Sequence, residues 1–270
     1  MKFSVPEILT IVSTATVMAI AFLVIAKYLI RYAVTFYAKI KGDDRMEEKI
    51  MPHVKGYLRD FMLTVPKEIY ACSGIGILGR RIKSLLFSTD ASIIRNTNAD
   101  AVIAVYPFTP QPIITQAVMT AADVPVFVGV GGGLTQGQRV INLALHAEYQ
   151  GALGVVVNAP TQNEVVRELK KAIDIPVVVT VVSDTDDIEA RIEAGADIFN
   201  VSSAAKTPQL VAKIRANHPD FPIIATGGQT GESIMRTIEA GANAITWTPP
   251  SNGEVFKDIM EAYRKNLPHP

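Results

Sequence analysis

Two turn signatures alternate along the chain between Asn98 and Pro250, and they restrict the fold more than any single residue does. Asp123-Val124-Pro125, Asp174-Ile175-Pro176 and Asp220-Phe221-Pro222 each precede a short apolar run. Gln150-Gly151-Ala152, Ala194-Gly195-Ala196 and Ala240-Gly241-Ala242 precede the runs that lie between them. Each signature returns after about two helix-plus-strand units, a spacing that marks a repeat architecture. A chain that keeps entering buried strands through the same turns is assembling a parallel sheet.

The apolar runs have strand length: Ile82–Phe87, Ala101–Tyr106, Val126–Val130, Leu153–Val157, Val177–Val182, Ile198–Val201, Ile223–Thr226 and Ala244–Trp247. They are rich in Val and Ile and mostly continuous rather than alternating, the pattern of strands buried on both faces. Helical stretches separate them. Thr161–Ala172 opens with Thr161 as a cap and Glu164 three residues on, the spacing of a capping box. Thr185–Glu193, Pro208–Asn217, Gly231–Ala240 and Asn252–Lys265 have similar character. Residues 82–270 are therefore expected to form an α/β fold, a (β/α)8 TIM-type barrel. An open doubly wound sheet is the competing architecture. It gives no reason for odd and even units to carry different turns, whereas alternate barrel strands feed alternate interior layers.

The residues before the barrel divide into an anchor region, 1–41, and a linker with covering helices, 42–81. Ile8–Ala26 carries no charged side chain. At roughly 1.5 Å per residue, a helix of that length crosses a hydrocarbon core. A cleaved signal peptide fits less well, because only Lys2 precedes the run and no A-x-A-like exit follows it. A single N-terminal transmembrane helix is the expectation. Lys27, Arg31, Lys39, Lys41 and Arg45 all follow the run, so the positive-inside rule puts the barrel on the cytoplasmic side of a cell membrane. Ala71–Gly79 is glycine-spaced and reads as a flexible connection. The single Cys72 excludes an internal disulfide. With 26 basic and 26 acidic residues, no global field points to nucleic acid.

In a barrel of this kind, chemistry sits at the C-terminal strand ends. Those ends are polar but almost uncharged. Asn158, Asn200, Ser202, Thr226 and Gln229 are suited to hydrogen-bonding a sugar or polyol. Asp90 is the carboxylate placed best for general acid/base work, and it is equally suited to cap Ala91–Arg95. No His, Cys, Asp and Glu cluster has ligand spacing, so neither a metal nor a cofactor is expected. Gly129–Gly133, with Gly132 in its middle, ends the third strand and reads either as a mobile lid or as a crowded strand exit. The strongest local signal is Ile223–Gly231, where Gly227 and Gly228 lead from a strand into a helix. Backbone amides and the positive end of that helix can then face an anion, and strand seven is where barrels commonly hold phosphate. The competing reading is that the glycines only make a tight βα turn, and two glycines exceed what such a turn needs.

The chain resembles the ribulose-phosphate-binding barrel superfamily, which includes keto-deoxy-phosphogluconate aldolase, thiamine-phosphate synthase and the histidine and tryptophan biosynthetic barrels. Ala225-Thr226-Gly227-Gly228 and Glu239-Ala240-Gly241-Ala242-Asn243 carry the resemblance, which spans about Ile82 to Lys265 as a fold. It implies a small phosphorylated molecule as ligand and an enzyme among the lyases, isomerases or hydrolases of such compounds. Two departures stand out. Thr246-Trp247-Thr248-Pro249-Pro250 occupies the place of a glycine-containing turn, and proline removes donor N–H groups. Asn200 lies in the stretch where the aldolase has its Schiff-base lysine, so that mechanism is not expected. Lys206 lies just beyond, within reach of a phosphate. The alternative is a non-catalytic barrel that binds a ligand or partner at the membrane.

Overall fold

In the computed structural model, which describes residues 25–29, 52–54, 56 and 61–268, the expected apolar runs pair side by side until the last meets the first. The strands are β1 (Ile75–Ile77), β2 (Arg80–Ile82), β3 (Ser84–Phe87), β4 (Ala101–Ala104), β5 (Val126–Gly131), β6 (Gly154–Val157), β7 (Val177–Val181), β8 (Ile198–Val201), β9 (Ile223–Thr226) and β10 (Ala244–Trp247). β3 to β10 are parallel, and β10 pairs with both β9 and β3, which closes the barrel. The helices are α1 (Ala91–Arg95), α2 (Pro112–Ala121), α3 (Gln138–Tyr149), α4 (Asn163–Ala172), α5 (Ile188–Glu193), α6 (Thr207–Asn217), α7 (Gly231–Glu239) and α8 (Asn252–Arg264).

The chain divides into two units, Met1–Lys55 and Gly56–Pro270. In the first, residues 25–29 are helical. Ile8–Val24, the bulk of the proposed membrane span, lies outside the described residues. No helix among the described residues is long and apolar enough to cross a membrane.

The turn signatures have a physical purpose at the start of each strand. Proline lacks an N–H, and the prolines before β5, β7 and β9 act only as acceptors. Pro125, Pro176 and Pro222 take the amides of Val102, Val155 and Phe199. Gly151, Gly195 and Gly241 follow helices and have φ of 89°, 103° and 111°, backbone that favours glycine. Two residues later, Asp197 and Asn243 clamp the preceding strand. Asp197 gives its amide to Val177 O at 3.0 Å and accepts the Val177 amide on Oδ2 at 2.8 Å. Asn243 treats Ile223 the same way, at 2.8 and 2.9 Å. Asp100 accepts the amides of Lys83 and Ser84 at 2.8 and 3.0 Å.

Side chains alternate between two cores. Leu85, Ile103, Phe127, Val156, Val178, Ile198 and Ile224 fill the barrel interior, whereas Leu86, Val102, Val128, Val155, Val179, Phe199 and Ile245 face the helices. Phe127 is fully buried. Gly154 makes room for it, because a Cβ there would stand 2.9 Å from the Phe127 ring.

Two expectations are corrected. Ala71–Gly79 is not a flexible connection: it contains β1 and the turn into β2. Leu78 and Gly79 have φ of 46° and 78°, as a tight hairpin turn requires. Ile75, Ile77 and Ile82 then insert into the interior core and plug the barrel below its strands, which is why the segment is ordered. Ile82 thus belongs to the hairpin rather than to the first barrel strand. The Thr161–Glu164 capping box does not form either. α4 starts at Asn163 with no side-chain cap, because Arg191 draws the preceding loop onto α5 through Ala159 O, Thr161 O and Asn163 Oδ1.

Asn243 Oδ1 also accepts from Arg215 at 2.6 Å, and its Nδ2 donates to Ser73 Oγ at 2.9 Å. Asn243→Ala strands these groups and is expected to cost about 2 kcal/mol in urea unfolding. Asn243→Asp keeps the acceptor and is expected to cost less. Burial pushes the Cys72 thiol up to about 11, against the opposing pull of Lys83. A thiol reagent at pH 8 is therefore expected to label Cys72 only when the protein unfolds.

Candidate ligand site at the barrel mouth

The interior parity of the strands carries through to their C-terminal ends and divides the mouth into two halves. Following Val178, Ile198, Ile224 and Ala244 of the interior core, the next inward positions are Thr180, Asn200, Thr226 and Thr246. Ser202 continues the inward row of β8. Asn200 Nδ2 donates to Thr180 Oγ1 at 3.3 Å, and Thr226 Oγ1 donates to Ser202 Oγ at 3.2 Å. Thr226 and Thr246 are register partners across β9 and β10. On the other side, the corresponding positions of β3, β4 and β5 are Phe87, Val105 and Gly129. One half of the mouth is neutral and polar; the other is apolar.

The polar half is incompletely paired. Asn200 Oδ1 and Thr246 Oγ1 are buried and have no hydrogen-bond partner among the described residues, and Thr246 is only 7% exposed. A buried polar atom without a partner costs ~1–3 kcal/mol. Two of the four such side-chain atoms among the described residues lie in this one wall; the others are Gln150 Oε1 and Thr161 Oγ1.

Of the expected phosphate residues, Gly227 sits where a Cβ would come within 2.7 Å of Ile245 Cγ2 and 2.9 Å of Ile234 Cγ1. Close packing thus accounts for this glycine. Thr230 and Ser233 cap α7 reciprocally: Ser233 N–H donates to Thr230 Oγ1 at 3.2 Å, and Thr230 N–H to Ser233 Oγ at 3.1 Å. Those amides are therefore occupied. The amides of Gly228, Gln229, Gly231 and Glu232 have no internal acceptor among the described residues. A carboxylate already lies beside the first turn of α7, since a Cβ on Gly231 would stand 2.7 Å from Glu68 Oε1.

The Gly129–Gly133 cluster is a crowded, pinned strand exit rather than a mobile lid. A Cβ on Gly131 would meet Val140 Cγ2 at 2.5 Å, and one on Gly132 would meet Asn158 Cβ at 2.4 Å. Gly132 N–H donates to Thr135 O at 2.9 Å, Asn158 N–H to Gly131 O at 3.0 Å, and Gln136 Nε2 to Gly133 O at 2.7 Å. The register of β5 against β6 shifts between Gly129 and Gly131, which turns the loop outward. Between this loop and the β4–α2 loop lies a cavity of about 310 Å³, lined among others by Val105, Tyr106, Phe108, Leu134 and Asn158.

Asp90 lies at a strand end, but its carboxylate is committed to capping α1. It accepts from Ser92 N at 2.8 Å, Ser92 Oγ at 2.6 Å and Ile93 N at 3.3 Å. The Ser92 hydroxyl bond, with the two amide bonds, holds its pKa below the ordinary aspartate value. It is ionised at neutral pH, and the observed bonds give it the role of the α1 cap. Lys206 ends the Ala204–Lys206 turn, exposed to solvent. Among the described residues no group of three or more His, Cys, Asp or Glu is placed to hold a metal. The structure thus unites Asn200, Ser202 and Thr226 in one wall, places Asn158 against Gly132, and leaves Asp90 in a cap. Thr180, Thr246 and Tyr106 stand at strand ends in the sequence without being singled out as contacts; counting alternate residues from each strand's interior positions distinguishes both threonines.

No family model matches the chain. An inosine-5'-monophosphate dehydrogenase of Aquifex aeolicus (strain VF5) is 38% identical over 64 residues, 22% of this chain and 13% of that protein. The chain therefore matches only a small part of that relative's length. Among solved structures, a 2,3-dimethylmalate lyase of the PEP mutase/isocitrate lyase superfamily has a TM-score of 0.53 at 12% identity, covering 74% of this chain and 83% of that one. A phosphoenolpyruvate phosphomutase from Streptomyces platensis subsp. rosaceus has a TM-score of 0.52 at 14% identity, covering 68% and 83%. These likenesses establish the eight-stranded α/β barrel and do not single out the ribulose-phosphate-binding superfamily.

Asp90→Ala is expected to cost ~1 kcal/mol of stability through the lost cap, while ligand binding at the mouth stays intact. The sign with pH follows from the lowered value. The cap's contribution is full above the ordinary aspartate range and is lost as pH falls through the depressed folded-state pKa. Thermal melts of the two proteins should therefore converge in strong acid.

Proposed function

We propose that the barrel is an enzyme acting on a small phosphorylated metabolite bound across its C-terminal mouth. The observation that carries the reading is the pair of buried, unpartnered atoms, Asn200 Oδ1 and Thr246 Oγ1. A ligand bonding to both atoms would satisfy them. In this reading the ligand's hydroxyl or carbonyl groups bond to Asn200, Ser202, Thr226 and Thr246. Its phosphate rests on the amides of Gly228 and Gln229 at the β9–α7 turn, as the resemblance to ribulose-phosphate-binding barrels implies. Pro249 and Pro250 add no donors from the neighbouring loop. The phosphorylated substrates in the names of the phosphomutase and the inosine-5'-monophosphate dehydrogenase agree with the reading.

A second reading, a non-catalytic ligand-binding barrel, draws on the lack of any charged side chain at the inward mouth positions and on the capping duty of Asp90. Either barrel is proposed to be held at the cytoplasmic side of a membrane by the uncharged run Ile8–Ala26. Carbonate extraction of membranes tests that part: release of the protein into the soluble fraction would reject it.

Thr246→Val separates site from scaffold, because it removes the unpaired hydroxyl at nearly constant volume. The unliganded variant is expected to melt at the same temperature or higher. Sugar phosphates that stabilise the parent protein are expected to lose about tenfold in affinity. Failure of every phosphorylated compound to raise the melting temperature of the parent would sink the proposal. Stabilisation without turnover of any such compound would favour the binding barrel.

A further inference from the structure

We infer that the cavity between the β4–α2 and β5–α3 loops receives the end of the ligand opposite its phosphate, and that this end is a planar, largely apolar ring carrying a hydrogen-bond acceptor. The inference rests on the phosphate reading above and adds the class of molecule to it. At about 310 Å³, the cavity lies at the lower bound of small-molecule sites, roughly 300–1,000 Å³. It is continuous with the mouth, because Val105, Gly129 and Asn158 belong to both.

Gly129, Gly131, Gly132 and Gly133 line it from the β5 side, and of these only Gly133 would carry a Cβ into open space. Its walls include Pro107, Phe108 and Leu134. Phe108 is 73% exposed and Leu134 is 100% exposed. Leu134 stands at the tip of a loop whose three hydrogen bonds stop it from folding back onto the core. Two apolar side chains held in water on either side of a cavity gain their burial from what enters between them. An aromatic ring in the lining favours a flat group that stacks on it over a branched one. Among the described residues no charged side chain lines the cavity, which suits a neutral entering group. Tyr106 Oη accepts the Gln111 amide at 2.8 Å. Its own proton has no acceptor among the described residues, which leaves it to donate to the ring's substituent.

The test is titration calorimetry on the full chain with inorganic phosphate, pentyl phosphate, 5-phenylpentyl phosphate, 5-(4-carbamoylphenyl)pentyl phosphate and benzamide, the pentyl spacer being needed because β5 lies four strands from β9 in the closed barrel. 5-Phenylpentyl phosphate is expected to bind about tenfold tighter than pentyl phosphate, from ring burial. Leu134→Ser and Phe108→Ala, both at exposed positions, are each expected to remove most of that advantage and leave pentyl phosphate unchanged. Tyr106→Phe is expected to weaken 5-(4-carbamoylphenyl)pentyl phosphate while sparing 5-phenylpentyl phosphate. If phosphate binds and the ring adds nothing, the cavity assignment is overturned and the phosphate reading stands. If phosphate does not bind but benzamide does, and Leu134→Ser abolishes it, the cavity assignment stands and the phosphate reading falls. If Leu134→Ser alters only the oligomeric state in sedimentation and no ring affinity, Leu134 belongs to a subunit contact and the inference is overturned.

Discussion

The barrel depends on the clamps at the beginnings of its strands. A sheet closes on itself only if every strand enters at the right height, since a one-residue slip would turn its interior side chains outward. Asp100, Asp197 and Asn243 set that height by holding the first amides of β3, β7 and β9. Each carboxylate or carboxamide fixes a backbone donor that a short parallel strand would otherwise leave open at its end. Arg215 reinforces the last clamp through Gly241 O, Phe221 O and Asn243 Oδ1. Register set at the bottom determines what the top presents.

The mouth shows the consequence. Because register is fixed, the neutral polar side chains of four adjacent strands assemble into one wall, and Phe87, Val105 and Gly129 into the other. The interior just below is wholly apolar, with Phe127, Ile224 and Ile198 almost fully buried. Asn200 Oδ1 and Thr246 Oγ1, without partners among the described residues, lie directly above this layer. The stability that the clamps and the interior core supply is what allows the mouth to keep unsatisfied groups.

Much of the barrel was legible in the sequence. Continuous Val- and Ile-rich runs betray strands buried on both faces, and the two turn signatures separate odd strands from even ones. The Ala71–Gly79 hairpin was hidden because its glycines resemble a loop and because its two strands are very short. Its order comes from a cavity that exists only once the barrel has closed. The failed cap at Thr161 has the same origin, since Arg191, some thirty residues away, decides where α4 begins. Within the site, Asn200, Ser202 and Thr226 were visible as polar residues at strand ends. Thr180 and Thr246 were not, because each lies within an apolar run and only its inward parity distinguishes it. That Asp90 is engaged by Ser92 and Ile93 was readable only as one of two options, as capping and catalytic aspartates look alike in sequence.

The hairpin also bears on how the chain is assembled over time. Its plug is tied to the last barrel strand through Ser73 and Asn243, residues 170 positions apart. A chain made from its N-terminus exposes Ile75, Ile77 and Ile82 long before β10 exists to enclose them. Until synthesis reaches Asn243, three isoleucines have no interior to enter, and the nascent protein carries a sticky segment next to its first barrel strand. The contact that seals the finished barrel is thus among the last to form, and the unfinished chain depends on its surroundings to keep that segment from pairing elsewhere.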